Sequence, residues 1–127
     1  MKEIVDTNIF VRFLVADNES FFQLASKWLK EAESGKRELV VKAVVVAEVC
    51  FVLESVYKRN HVDITSKVSG VLSASWLEVE DADVIEHAWN YYRDGEHFVD
   101  SFLLAWSKVH EGKILTFDQK LKRKIVQ

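Results

Sequence analysis

The stretch LVVKAVVVAEVCFVL, Leu39 to Leu53, holds two apolar runs separated by one lysine. Leu39-Val40-Val41 is short and β-branched, the signature of a strand covered on both faces. The second run begins at Ala43 and continues to Tyr57, too long for a typical strand, so it is expected as a helix that is apolar nearly all round and buried between other elements. Glu48 alone interrupts its apolar part. An ionised carboxylate in such a place needs a cation or strong donors to offset the cost of leaving water.

The same alternation of short apolar run and helix extends outward in both directions. Glu3-Ile4-Val5 reads as a first strand, and Asp6-Thr7 as the start of a helix with Ile9, Phe10, Phe13 and Leu14 on one stripe. Asp17-Asn18 opens a second helix through Phe21, Leu24, Ala25, Trp28, Leu29 and Ala32, stopped at Gly35. Downstream, Ile64, Val68, Val71 and Leu72 fit a short helix, and Trp76-Leu77-Glu78-Val79 a third strand. A helix from Asp81 through Tyr92 ends at Arg93 and Gly95, another runs from Phe98 to His110 and stops at Gly112, and Lys113-Ile114-Leu115-Thr116 reads as a fourth strand before a last helix. Short apolar strands alternating with helices predict an α/β fold: three layers, α/β/α, around a central parallel sheet of four or five strands.

Composition limits the possibilities. The 127 residues suit a single domain, 1–127, and 49% hydrophobic with 29% charged residues is ordinary for a globular chain. A net charge of −3 excludes a surface that is basic throughout, although local basic patches remain open to phosphate contacts. One cysteine, Cys50, cannot form an internal disulfide, which favours a reducing, cytoplasmic compartment. No secretion signal opens the chain, and the eleven-residue run from Ala43 to Leu53 is shorter than the ~20 residues a bilayer span requires, so no membrane association is expected.

In an open α/β sheet, ligands bind beyond the carboxyl ends of the strands. Asp6 follows the first strand, Asp118 the fourth, Glu48 lies on the helix after the second, and Asp100 near the start of the helix that feeds the fourth. Four carboxylates at one edge would repel one another, and a divalent cation removes the conflict. A donor set of oxygens without accompanying Cys or His favours Mg²⁺ or Mn²⁺ over zinc. Each acid also has a plainer reading. Asp6 and Asp118 suit helix caps, Asp100 suits the positive end of a helix dipole, and Glu48 would point to water or pair with Lys42 or Lys58. The denser cluster Glu78, Glu80, Asp81 and Asp83 reads as a strand end and helix start on a solvated face, without a catalytic role.

Four blocks, IVDTNIFVRFL (Ile4–Leu14), VVVAEVCFVL (Val44–Leu53), HFVDSFLLAWSKVHEG (His97–Gly112) and ILTFDQKLKR (Ile114–Arg123), resemble in type and order those of the PIN-domain nucleases. Within that family the likeness is greatest to the VapC-type toxin ribonucleases of prokaryotic toxin–antitoxin pairs. The resemblance implies an acidic quartet of Asp6, Glu48, Asp100 and Asp118 holding one or two Mg²⁺ or Mn²⁺ ions, with Asp6 and Asp100 as the primary ligands. Thr7 and Asn8 would orient Asp6, and Thr116 would orient Asp118. It further implies an RNA substrate, hydrolysis by a metal-activated water leaving 5′-phosphate and 3′-hydroxyl ends, a homodimer, and an antitoxin partner whose helix lies in a groove near the site. Arg12, His97, Lys120 and Arg123, with Lys122 and Lys124 beside them, are candidate RNA-backbone contacts. Two departures are visible. The sequence stops nine residues after Asp118, so a fifth strand is expected to be very short or absent, and position 97 is His rather than small or acidic. Rival readings are a PIN fold kept for interaction alone, and another Mg²⁺-dependent phosphoryl-transfer protein. The latter fits less well, because Asp6 is followed by Thr7 and Asn8 rather than the DxD of dehalogenase-type phosphatases.

Overall fold

The computed structural model describes residues 1–126. They form two compact units, Met1–Glu80 and the residues from Asp81 on. The first contains β1 (Lys2–Ile4), α1 (Thr7–Val15), α2 (Glu19–Glu33), β2 (Glu38–Val41), α3 (Ala43–Ser55), α4 (His61–Leu72) and β3 (Leu77–Val79). The second contains α5 (Ala82–Tyr92), α6 (Phe98–His110) and α7 (Gln119–Val126).

In the first unit the strands lie in the order β1-β2-β3, all parallel. Ile4 is opposite Val40, and Val41 opposite Val79, so the carboxyl ends of the three strands are level. The pairing continues past the strand ends, with Val5 N donating to Val40 O at 2.9 Å and Glu80 N to Val41 O at 2.9 Å. Central β2 is buried at Leu39, Val40 and Val41, as its β-branched sequence predicts. Around it Phe10, Val11, Ala25, Leu29, Val46, Val49, Ile64 and Val68 fill the interior. Since β1 and β2 are parallel and each feeds a helix at its carboxyl end, α1 and α3 both start at the same edge of the sheet. In this unit two asparagines cap the helices that follow them: Asn18 accepts from Phe21 N at 3.0 Å to open α2, and Asn60 accepts from Asp63 N at 2.8 Å to open α4.

The second unit is helical. Val84, Ala88 and Ala105 are fully buried at the α5–α6 contact, with Tyr91, Phe102 and Val109 packed around them. Alanines there let the two helices approach closely. Trp89, Tyr92 and Phe98 form a second cluster with ring centroids 5.5 to 6.1 Å apart. Gly95, at φ +104°, makes the left-handed turn between the helices.

The sheet departs from expectation. Among the described residues it has three strands rather than four or five, because residues 112–118, expected to hold the fourth, have neither strand nor helix. Leu115 and Phe117 are 97% and 98% exposed. A strand has no hydrogen bonds of its own, so an apolar, extended-favouring sequence becomes one only where a ladder partner is in register. A second correction concerns α3, which is not buried all round. Val46, Val49, Cys50 and Leu53 face the interior, whereas Val44 and Phe51 are 73% and 66% exposed.

Candidate functional site

Asp6 and Glu48 belong to the first unit, Asp6 just before α1 and Glu48 on α3, the two helices that begin at the carboxyl edge of the sheet. Asp6 occupies the cap position of α1, and its carbonyl accepts from Ile9 N at 3.1 Å. Its carboxylate makes no capping bond. That side chain is exposed and has no hydrogen-bond or ion-pair partner within Met1–Glu80. Glu48, the sixth residue of α3, lies between Val44 and Phe51 on the exposed stripe of that helix. The expectation of a buried Glu48 is therefore corrected, since spacing of four and three residues along one helix puts all three on the same outward face. Lys42, a candidate partner for Glu48, donates instead to Glu80 Oε2 at 3.3 Å.

Asp100 and Asp118 belong to the second unit. Asp100 sits half-buried in the first turn of α6, where the helix dipole favours a carboxylate, and it makes no side-chain hydrogen bond or ion pair within that unit. Asp118 does cap: its Oδ1 accepts from Leu121 N at 3.0 Å, and Thr116 Oγ1 accepts from Asp118 N at 3.0 Å. Thr116 thus fixes the backbone that presents Asp118 rather than its carboxylate. One carboxylate oxygen, Oδ2, remains outside this cap.

The other expected residues are differently engaged. Thr7 is buried and Asn8 exposed, and neither donates to the Asp6 carboxylate. Arg12 is held by Asp17 Oδ1 at 3.4 Å and lies over the Phe21 ring at 4.9 Å, so its charge is partly committed. His97 caps α6 only through its carbonyl, which accepts from Ser101 N at 2.9 Å and Ser101 Oγ at 2.8 Å. On α7, Lys120, Lys122 and Arg123 are exposed around the buried Leu121, while Lys124 pairs with Glu96 at 2.8 Å. The Glu96 bond holds the Lys124 ammonium above its ordinary pKa.

Two arrangements had no signal in the sequence. Arg37 donates to both oxygens of Glu3 at 2.7 Å and to Glu31 at 3.2 Å, tying β1, α2 and the approach to β2 together with Trp28 under its guanidinium. Glu80 is the other. Its Oε1 accepts from Ala43 N at 3.0 Å, its Oε2 from Lys42 Nζ, and these two donors in that order hold its carboxyl below the usual glutamate range. Sequence placed Glu80 among four acids on a solvated face, and nothing along the chain links it to Ala43, 37 positions away.

Chemically, Asp6 and Glu48 in the first unit and Asp100 in the second each offer carboxylate oxygens that no protein donor in their own unit occupies, the hard donor type that Mg²⁺ and Mn²⁺ prefer. Among the described residues, no three His, Cys, Asp or Glu side chains are grouped so as to hold a metal ion by themselves. No described helix is long and apolar enough to cross a membrane.

The PIN domain family matches the chain over residues 4–125, a span that includes Asp6, Glu48, Asp100 and Asp118. The chain belongs to the PIN domain family. PIN domains are α/β proteins and are generally nucleases, hydrolases that bind nucleic acid and typically use Mg²⁺ or Mn²⁺. Neither curated proteins nor solved structures give a match to this chain.

Proposed function

We propose that the chain is a metal-dependent endoribonuclease, the VapC-type toxin of a toxin–antitoxin pair. The observation that carries this reading is a family match that spans all four acids while the carboxylates of three of them, Asp6, Glu48 and Asp100, make no bond within their own unit. Asp6 and Asp100 act as primary ligands for one or two Mg²⁺ or Mn²⁺ ions, and Glu48 and Asp118 bind directly or through water. When bound, the ion lowers the pKa of water and offsets charge on the phosphate oxygens. The protein's own part is to present carboxylate oxygens, those of Asp6, Asp100 and Asp118 from helix starts where backbone N–H groups and the helix dipole favour anions, and that of Glu48 from the second turn of α3. Thr116 steadies Asp118 by accepting from its backbone N–H. Lys120 and Arg123, with Arg12 and His97, contact the RNA backbone.

The same reading treats residues 1–127 as a single PIN domain in a reducing, cytoplasmic compartment. It includes a homodimer and an antitoxin. A groove of about 540 Å³ lined by Phe13, Phe22, Leu29, Val71 and Trp76 supports a helical protein partner, and Phe21 and Leu24 are exposed on the same helix, α2. RNA incubated with the purified protein should be cut with Mg²⁺ or Mn²⁺ and spared in EDTA, and Asp6→Asn should lower the rate at least ~100-fold. Intact RNA under every metal condition would instead favour a PIN fold used for interaction alone.

A further inference from the structure

The first turn of α3 is poorly made by its own sequence. Lys42 at its cap position offers no acceptor for the free N–H groups, and a positive charge opposes the dipole there. Ala43 is followed by three valines, Val44, Val45 and Val46, each of which loses side-chain freedom in a helix. Glu80 meets the missing acceptor and the opposing charge from outside the helix. Its backbone N–H extends the sheet by donating to Val41 O at 2.9 Å, and its carboxylate accepts from Ala43 N at 3.0 Å and Lys42 Nζ at 3.3 Å. One residue therefore joins the end of β3 to the end of β2 and to the start of α3. Glu48 lies about a turn and a half further along that helix, on its exposed face, with no hydrogen bond or ion pair of its own within the unit to fix it.

We infer that Glu80 is a positioning residue for Glu48: by capping α3 from the end of β3 it sets where the helix starts and so where the Glu48 carboxylate is presented. The inference rests on the reading of Glu48 as a metal ligand. Glu80 touches neither ion nor substrate and acts only through the helix.

Mn²⁺ titration of the full chain, followed by calorimetry or by the resonance of free Mn²⁺, tests this well below the unfolding temperature. Glu80→Ala should weaken Mn²⁺ binding by roughly tenfold, the size of effect seen when a supporting partner of a ligand is removed. Glu80→Gln keeps an oxygen for Ala43 N–H and should restore most of the affinity. Asn60→Ala, which deletes the α4 cap in the same unit, serves as a control of similar stability loss and should bind Mn²⁺ as the native chain does. If Glu80→Ala does not fold, Glu80→Asp, one methylene too short to reach Ala43 N, replaces it with the same expectation. Native affinity in Glu80→Ala (or in Glu80→Asp where it replaces it), or equal weakening by Asn60→Ala, overturns the inference while Asp6→Asn still abolishes binding. Should Asp6→Asn bind Mn²⁺ as tightly as the native chain, the metal site itself is misread and the inference falls with it.

Discussion

Asp6 and Asp118 stand at the same place relative to their helices, yet only Asp118 uses its side chain as a cap. Composition and spacing cannot separate the two, because an aspartate before a helix has equal reason to cap or to remain free. The difference is measurable. Asp118→Ala should lose about 1 kcal/mol of stability in urea, the ordinary cost of a deleted cap, whereas Asp6→Ala should unfold at nearly the native midpoint and show its effect in cleavage alone. Equal destabilisation by both would remove the case that Asp6 is held free for another task. Glu48 teaches the complementary lesson. Its residue type and motif were legible in the sequence, but its surroundings were not: an apolar stretch implied burial, and the helix instead turns Val44, Glu48 and Phe51 outward together.

Helices were read with nearly their observed limits, since caps such as Asn18 and stops such as Gly95 are local signals that act through neighbouring residues, although the Asn60 cap that opens α4 three residues ahead of Ile64 was passed over. Strands β1 to β3 were also legible. Lys113–Thr116 was not, because a strand's hydrogen bonds come from a distant partner that no window of sequence contains. The start of α3 lay equally beyond local reading, its acceptor being Glu80 at the end of another element. This cap predicts a pH dependence. Glu80 has a folded pKa below its ordinary value of 4.5, so its contribution is fully present above that value and is lost as pH falls through the lowered one. The stability difference between the native chain and Glu80→Gln should therefore be constant at neutral pH and shrink on acidification from about pH 4.5 downward, which urea unfolding at several pH values would show. A difference that grows on acidification would contradict the assignment of the cap to the charged form.

Across the whole molecule, a net charge of −3 and exposed Lys120, Lys122 and Arg123 on a short helix fit a protein that meets a nucleic acid locally rather than over its entire surface. The PIN family match runs through both compact units and takes in acids of each, Asp6 and Glu48 in the first and Asp100 and Asp118 in the second. What distinguishes this account from a metal-free ribonuclease is the identity of the nucleophile. Water delivered with a divalent ion leaves a 5′-phosphate and a 3′-hydroxyl, whereas attack by the neighbouring 2′-hydroxyl leaves a 2′,3′-cyclic phosphate. End-group analysis of RNA cut by the purified protein in Mn²⁺ is accordingly the most direct measurement. The account predicts 5′-phosphate and 3′-hydroxyl ends that disappear with EDTA, and cyclic phosphate ends, or cleavage that continues in EDTA, would contradict it.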